Sequence, residues 1–193
     1  MLVLRIDFLN CVYHAADPTA HTQSEWPPHP DRVFQALVAA AYGSGANPAP
    51  LRALEGRAPE LAFGDAEAAL AGSLFAPATW LDKPSRAVWG RSKVLKHDPV
   101  RVGIADPVYL IWPDVPATLH APLAAIAATV SYLGRARTPV IVSVVAQVPD
   151  MPHRLLPAPA GERLLRVPQV GRLDELDAAF SAGQRAAIAD LVG

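Results

Sequence analysis

The chain has 193 residues, 51% hydrophobic and 18% charged, enough to bury the core of one large domain or two small ones, and this excludes wholesale disorder. Seventeen basic against eighteen acidic residues leave a net charge of −1, so the chain is no polycation and any nucleic-acid site has to be local. The single cysteine, Cys11, excludes an internal disulfide framework and a cysteine-based zinc site, and it fits a reducing, cytoplasmic setting.

Arg5 and Asp7 interrupt the apolar start, so no signal-peptide core forms there. The longest charge-free stretch, Val115 to Gly134, contains Pro116, Pro122, His120, Thr118, Thr129 and Ser131 and reads as a buried helix rather than a bilayer span. No membrane association is expected.

In chain order, Leu2, Leu4, Ile6 and Phe8 alternate with Val3, Arg5 and Asp7, the period of a half-buried strand. A polar loop ends in Glu25-Trp26-Pro27-Pro28-His29-Pro30, whose prolines cannot lie inside a helix. Pro30 is suited to the first helical position and Asp31 to the first turn. Val33, Phe34, Leu37, Val38 and Ala41 then give a buried helix that Gly43 and Gly45 stop. Weaker signals predict a short helix around 50–56 and a strand around 61–63. A basic run, Lys83 to His97, precedes an apolar strand over 107–112. Pro122 opens a second helix with Leu123, Ile126 and Val130, capped at Gly134. Thr138–Val148 is apolar on both faces and is expected to be a central strand. Residues 149–169 read as a wrapping connection, and 173–182 as a short helix with Asp174 and Glu175 in its first turn.

Strand, helix, strand, strand, helix, strand is the order of an α+β, ferredoxin-like or RRM-like sandwich, an antiparallel sheet with helices on one face. The expected division is a domain over 1–148 with a protruding thumb hairpin over about 83–106, then a C-terminal segment over 149–193.

Charge is unevenly placed. All three lysines, Lys83, Lys93 and Lys96, fall within fourteen residues, and with Arg86 and Arg91 they give Lys83–His97 five cations and no acid. The rest of the chain carries twelve basic against eighteen acidic residues. Such segregation points to a phosphate-bearing partner, although cations also keep an exposed hairpin soluble. Trp89 in the middle of the run has the form of a base-stacking group. A second basic loop, Arg135-Ala-Arg137, follows the second helix; its arginines also suit the negative end of that helix.

The six histidines show no zinc spacing, and neither a Walker loop nor a nucleophile elbow is present. No metal, cofactor or catalytic residue is expected. Tyr13 and His14, with Lys96 or His97, admit a metal-independent ribonuclease site in which a base removes the 2′-hydroxyl proton.

Glu25-Trp-Pro-Pro-His-Pro-Asp-Arg32, with Phe34-Gln-Ala-Leu-Val-Ala-Ala40, resembles the fused subunit of type I-U (I-G) CRISPR effector complexes, in which a Cas-five-like half precedes a Cas-six-like half. Tyr13-His14, Asp106-Pro-Val-Tyr109 with Trp112-Pro113, Tyr132-Leu-Gly-Arg135, Arg166-Val-Pro168, Gly171-Arg-Leu173 and Ala179-Phe180 fall in that family's order. The resemblance covers the Cas-five-like half; the Cas-six-like half, which carries the handle-cleaving chemistry, lies outside this sequence.

It implies a RAMP subunit that holds the 5′ handle of CRISPR RNA, with a Cas-seven backbone subunit, a large Cas-eight-type subunit, a Cas-six-like half or chain and target DNA as partners in an antiviral complex. Lys83, Arg86, Arg91, Lys93, Lys96 and His97 would line the thumb, Arg135 and Arg137 a second phosphate, and Trp89, Tyr13 and His14 the bases. The alternative is a metal-independent endoribonuclease acting on precursor CRISPR RNA.

Overall fold

The computed structural model describes residues 1–17, 24–68, 75–77, 93–95, 100–102, 106–158, 160–161 and 163–192. The initial alternation forms β1 (Leu2–Phe8), but its setting differs from a half-buried strand: it is paired on both sides and five of its seven residues are buried. After β2 (Val12–Tyr13), Pro30 opens α1 (Pro30–Ser44) with Asp31 in the first turn. Gly45, at φ 71°, ends it: the Gly45 N–H donates to Tyr42 and the Ala46 N–H to Ala41, a Schellman cap.

A 3-10 helix over Ala49–Leu54 leads to β3 (Glu60–Phe63), both close to their predicted places. Four short strands follow: β4 (Ala66–Ala68), β5 (Phe75–Pro77), β6 (Lys93–Leu95) and β7 (Val100–Val102). Then come β8 (Val108–Trp112), α2 (His120–Ala127), β9 (Val140–Val144), β10 (His153–Leu155) and α3 (Arg172–Val192).

The main sheet runs β10-β3-β8-β1-β9, antiparallel throughout. Without β10, the order of its strands is second, third, first, fourth, with α1 and α2 as the two crossovers. This is the α+β, ferredoxin-like arrangement expected from the order of elements. Leu2, Leu4, Ile6 and Phe8 join Phe34, Leu37, Leu123 and Ile126 in the principal core. On the second face, Val3, Ala62, Tyr109 and Ile111 are covered by Val145, Val148 and Met151. Residues 145–151 therefore form a strap across that face.

Several elements differ from expectation. The strand predicted over 138–148 is shorter and lies at the sheet margin, with Ile141 54% exposed. Its apolar outer face reflects the strap that follows it and an uncovered patch, not burial on both sides. The second helix ends at Ala127, where the Thr129 hydroxyl donates back to Ile126 O at 2.7 Å. Gly134 is left-handed but belongs to the next turn.

The segment expected to wrap instead adds β10 to the sheet, and the last helix spans 21 residues rather than ten. Its start is tied to the body. The buried Glu55 carboxylate accepts the N–H groups of Gly171 and Leu173 at 2.9 and 2.8 Å, and Arg172 forks onto Asp31 at 2.9 and 3.2 Å. Among the described residues no helix is long and apolar enough to cross a membrane.

β4 pairs with β7 and β5 with β6, and β2 adds to β7. These nested ladders put the outgoing arm of the insertion at Ala66, well before the 83 expected for the hairpin.

Candidate nucleic-acid interface

The loop before α1 is built around one carboxylate. Glu25 is 1% exposed and accepts four donors: the Tyr13 hydroxyl at 2.6 Å, the His29 backbone N–H at 3.0 Å, Arg32 Nε at 2.9 Å and Arg32 Nη2 at 2.7 Å. Arg32 Nη2 also reaches Ala16 O at 3.1 Å. The Trp26-Pro27 bond is cis, and the Trp26 ring packs against Phe8, Tyr13 and Phe63. This motif therefore closes the core beside β2.

Tyr13 is consequently not a base-stacking residue: it is 0% exposed and its hydroxyl is held by Glu25. Burial, reinforced by the neighbouring carboxylate, pushes its phenol well above the ordinary range.

His14, the residue after β2, is turned toward a different partner. Its backbone N–H donates to the Thr138 hydroxyl at 2.9 Å, and its Nδ1 lies 3.3 Å from the same oxygen. The His14 carbonyl accepts the Arg135 N–H at 3.1 Å, and Asn10 Nδ2 donates to the Arg137 carbonyl at 2.9 Å. The turn closes on itself, the Thr138 N–H donating to Arg135 O and the Leu133 N–H to Thr138 O.

Gly134 is required at its head. Its φ is +74°, and a Cβ there would lie 2.7 Å from His14 O. The result is a half-buried imidazole beside two exposed guanidinium groups, neither of which has an ion-pair partner among the described residues.

Of the other predicted contacts, Lys93 stands on β6 opposite Pro77. Lys83, Arg86, Trp89, Arg91, Lys96 and His97 lie outside the described residues. The structure thus brings together His14, Arg135 and Arg137, and removes Tyr13 from the set. Asn10 and Thr138 carry the arrangement and escaped sequence reading, because their partners lie more than a hundred positions away.

Tyr132 was likewise hidden in a helix predicted too long. It is 48% exposed and lines an open groove of about 490 Å³ with Ala36, Ala40, Gly43 and Thr129, adjoining Gly134. Among the described residues no three of His, Cys, Asp and Glu converge to hold a metal.

The histidines make the fold sensitive to acid. Burial first, then Arg137 and Arg135, lowers the pKa of His14. Burial also lowers that of His29, against the opposing pull of Glu25 and Asp17, and its Nδ1 faces the Arg166 N–H at 3.4 Å as an acceptor. Both groups stay neutral in the folded chain below the pH at which they protonate when unfolded. Their contribution is complete above the ordinary histidine pKa and is lost as pH falls from there through the lowered value of the folded chain. Tm is expected to be flat above neutrality and to decline on acidification, with a shallower decline in His14→Gln. An equal decline in wild type and variant excludes His14 as a source.

No curated protein matches the chain. The profile of the CRISPR-associated protein, GSU0054 family, matches it over residues 3–190, a span that takes in the ferredoxin-like sheet, the Glu25 loop and the His14–Arg135–Arg137 cluster. With all but a few residues inside that match, the chain belongs to the GSU0054 family of CRISPR-associated proteins.

Proposed function

We propose that the chain is the CRISPR-RNA-holding subunit of a type I-G (I-U) effector complex. It grips the 5′ handle and caps a Cas-seven backbone beside a large Cas-eight-type subunit, and so takes part in RNA-guided recognition of target DNA. A Cas-six-like half or chain supplies the handle cleavage. The observation that carries this reading is the cluster of His14, Arg135 and Arg137, whose cations are unpaired among the described residues. It stands beside β2, which pairs with β7, and in sequence the basic run Lys83–His97 immediately precedes β7.

In this reading Arg135 and Arg137 take one phosphate of the handle. Lys83, Arg86, Arg91, Lys93, Lys96 and His97 take others, and Trp89 stacks on a base. The strap over the second sheet face agrees with this path. RRM sheets stack bases on exposed aromatics, whereas Tyr109 here is buried.

The test is the salt dependence of binding to repeat RNA. Replacing Arg135 and Arg137 with alanine, which gives up one phosphate, is expected to lower the log–log slope by about 0.7. An unchanged slope removes the loop from the interface. An unchanged slope after replacing Arg86, Arg91, Lys93 and Lys96 removes the thumb.

One observation favours a second reading, a metal-independent endoribonuclease. The depressed pKa of His14 keeps its imidazole unprotonated at neutral pH beside two arginines. Such a base can take a 2′-hydroxyl proton while the cations face the phosphorane. Cleavage of repeat RNA in EDTA, abolished by His14→Ala, supports this reading; intact RNA eliminates it.

A further inference from the structure

The two margins of the main sheet are not alike. β10 is three residues long and carries Arg154, the short, charge-bearing form in which exposed edges are guarded against pairing. β9 has no such guard. Val140-Ile-Val-Ser-Val-Val145 contains no charge, no proline and no glycine, and Ile141 stands 54% exposed on its outer face. A run of this composition at an edge is a template for another strand.

Its free hydrogen-bonding groups follow from the ladder. The Val145 N–H donates to Val3 O on β1, whereas the Val140 N–H donates the opposite way, to Ser131 O. Alternation then directs the N–H and C=O groups of Val142 and Val144 away from β1. Residues 131–133 occupy only the first rung, through Val140 N–H to Ser131 O and the Tyr132–Pro139 bridge. Among the described residues no strand pairs with the outer side of 141–144.

We propose that this edge pairs with the same edge of a second copy of the chain, antiparallel about Ser143, so that two sheets join into one. In that register Val142 faces Val144 of the other copy. Each such pair exchanges both N–H···O bonds, and Ile141 is covered by Val145. The window is bounded at one end by residues 131–133 and at the other by the departure of the strap, and a second β9 matches its length. No like charges meet across 141–145, and a net charge of −1 offers little long-range repulsion between copies. The proposal is independent of RNA binding and fails or stands separately from it.

Ser143 supplies the test. In this register it opposes itself as a non-hydrogen-bonded pair, with Cα atoms about 4.5 Å apart, within disulfide reach. In a Cys11→Ser background, Ser143→Cys treated with diamide is expected to give a covalent dimer. Ile141→Cys, opposite Val145 rather than itself, is about 13 Å from its counterpart at 3.3 Å per residue and is expected to link several-fold less. Light scattering of the full chain is expected to show twice the monomer mass at high concentration. Ile141→Lys, which alters an exposed side chain and leaves the circular dichroism spectrum unchanged, is expected to return it to the monomer. A monomer at every soluble concentration overturns the proposal, as does equal linking by the two cysteine variants. A dimer that survives Ile141→Lys, or polydisperse aggregates in place of a discrete dimer, also overturns it.

Discussion

Glu25→Ala is expected to destabilise the protein by about 3 kcal/mol, near the lower end of what breaking a buried ion pair costs. Glu25 is almost fully buried, while Arg32 keeps about a third of its side chain in solvent and can recover water when its partner is lost. The Tyr13 hydroxyl and the His29 N–H have no such outlet, and a buried orphaned donor costs about 1–3 kcal/mol. A loss of this size moves Tm by roughly 10 °C in a chain of this length. The check is a urea titration with a lower midpoint and an unchanged slope. Glu25→Gln, which keeps an acceptor for Tyr13 and His29 and gives up only the charge, is expected to fall between. A loss below about 1 kcal/mol would show that this carboxylate is not what closes the loop.

Gly134→Val is the second large effect, and it joins stability to the candidate interface. A branched side chain at φ +74° carries backbone strain of about 1–3 kcal/mol. The added Cβ meets His14 O, a backbone atom with no rotamer to escape into. Relief requires the turn to move off β2, which breaks the Arg135 N–H to His14 O bond and the two contacts of His14 with Thr138. Stability is expected to fall by about 2 kcal/mol or more. The variant is also expected to lose part of its RNA affinity with Arg135 and Arg137 still present. Wild-type affinity in this variant would show that phosphate capture does not depend on how the loop is held against His14.

Local signals were legible in the sequence. The alternation of β1 reports its own pleat, and the ends of α1 follow from the φ that proline locks and the φ that glycine permits. The order of elements then yields the sheet. What depends on a distant partner was not legible. Val140–Val145 has the composition of a central strand, and only the sheet order shows that, among the described residues, no strand pairs with the outer side of 141–144. Ala128-Thr129-Val130 extends an apolar helical pattern, but Thr129 turns its hydroxyl back to Ile126 and the chain leaves the helix.

Tyr13 beside His14 has the same appearance whether it stacks on a base or fills a core. Its assignment waits on Glu25, which folds over it from across a loop. The pairing of His14 with Arg135 and Arg137 was likewise invisible, because it is made by Asn10 and Thr138 across more than 120 residues of chain.

The strap of residues 145–151 has a consequence for any polynucleotide that docks here. With Val3, Tyr109 and Ile111 sealed beneath it, the sheet offers no platform on which successive nucleobases can lie flat. In the RNA-holding function proposed above, a strand gripped by its phosphates at the rim keeps its Watson–Crick edges free to hybridise.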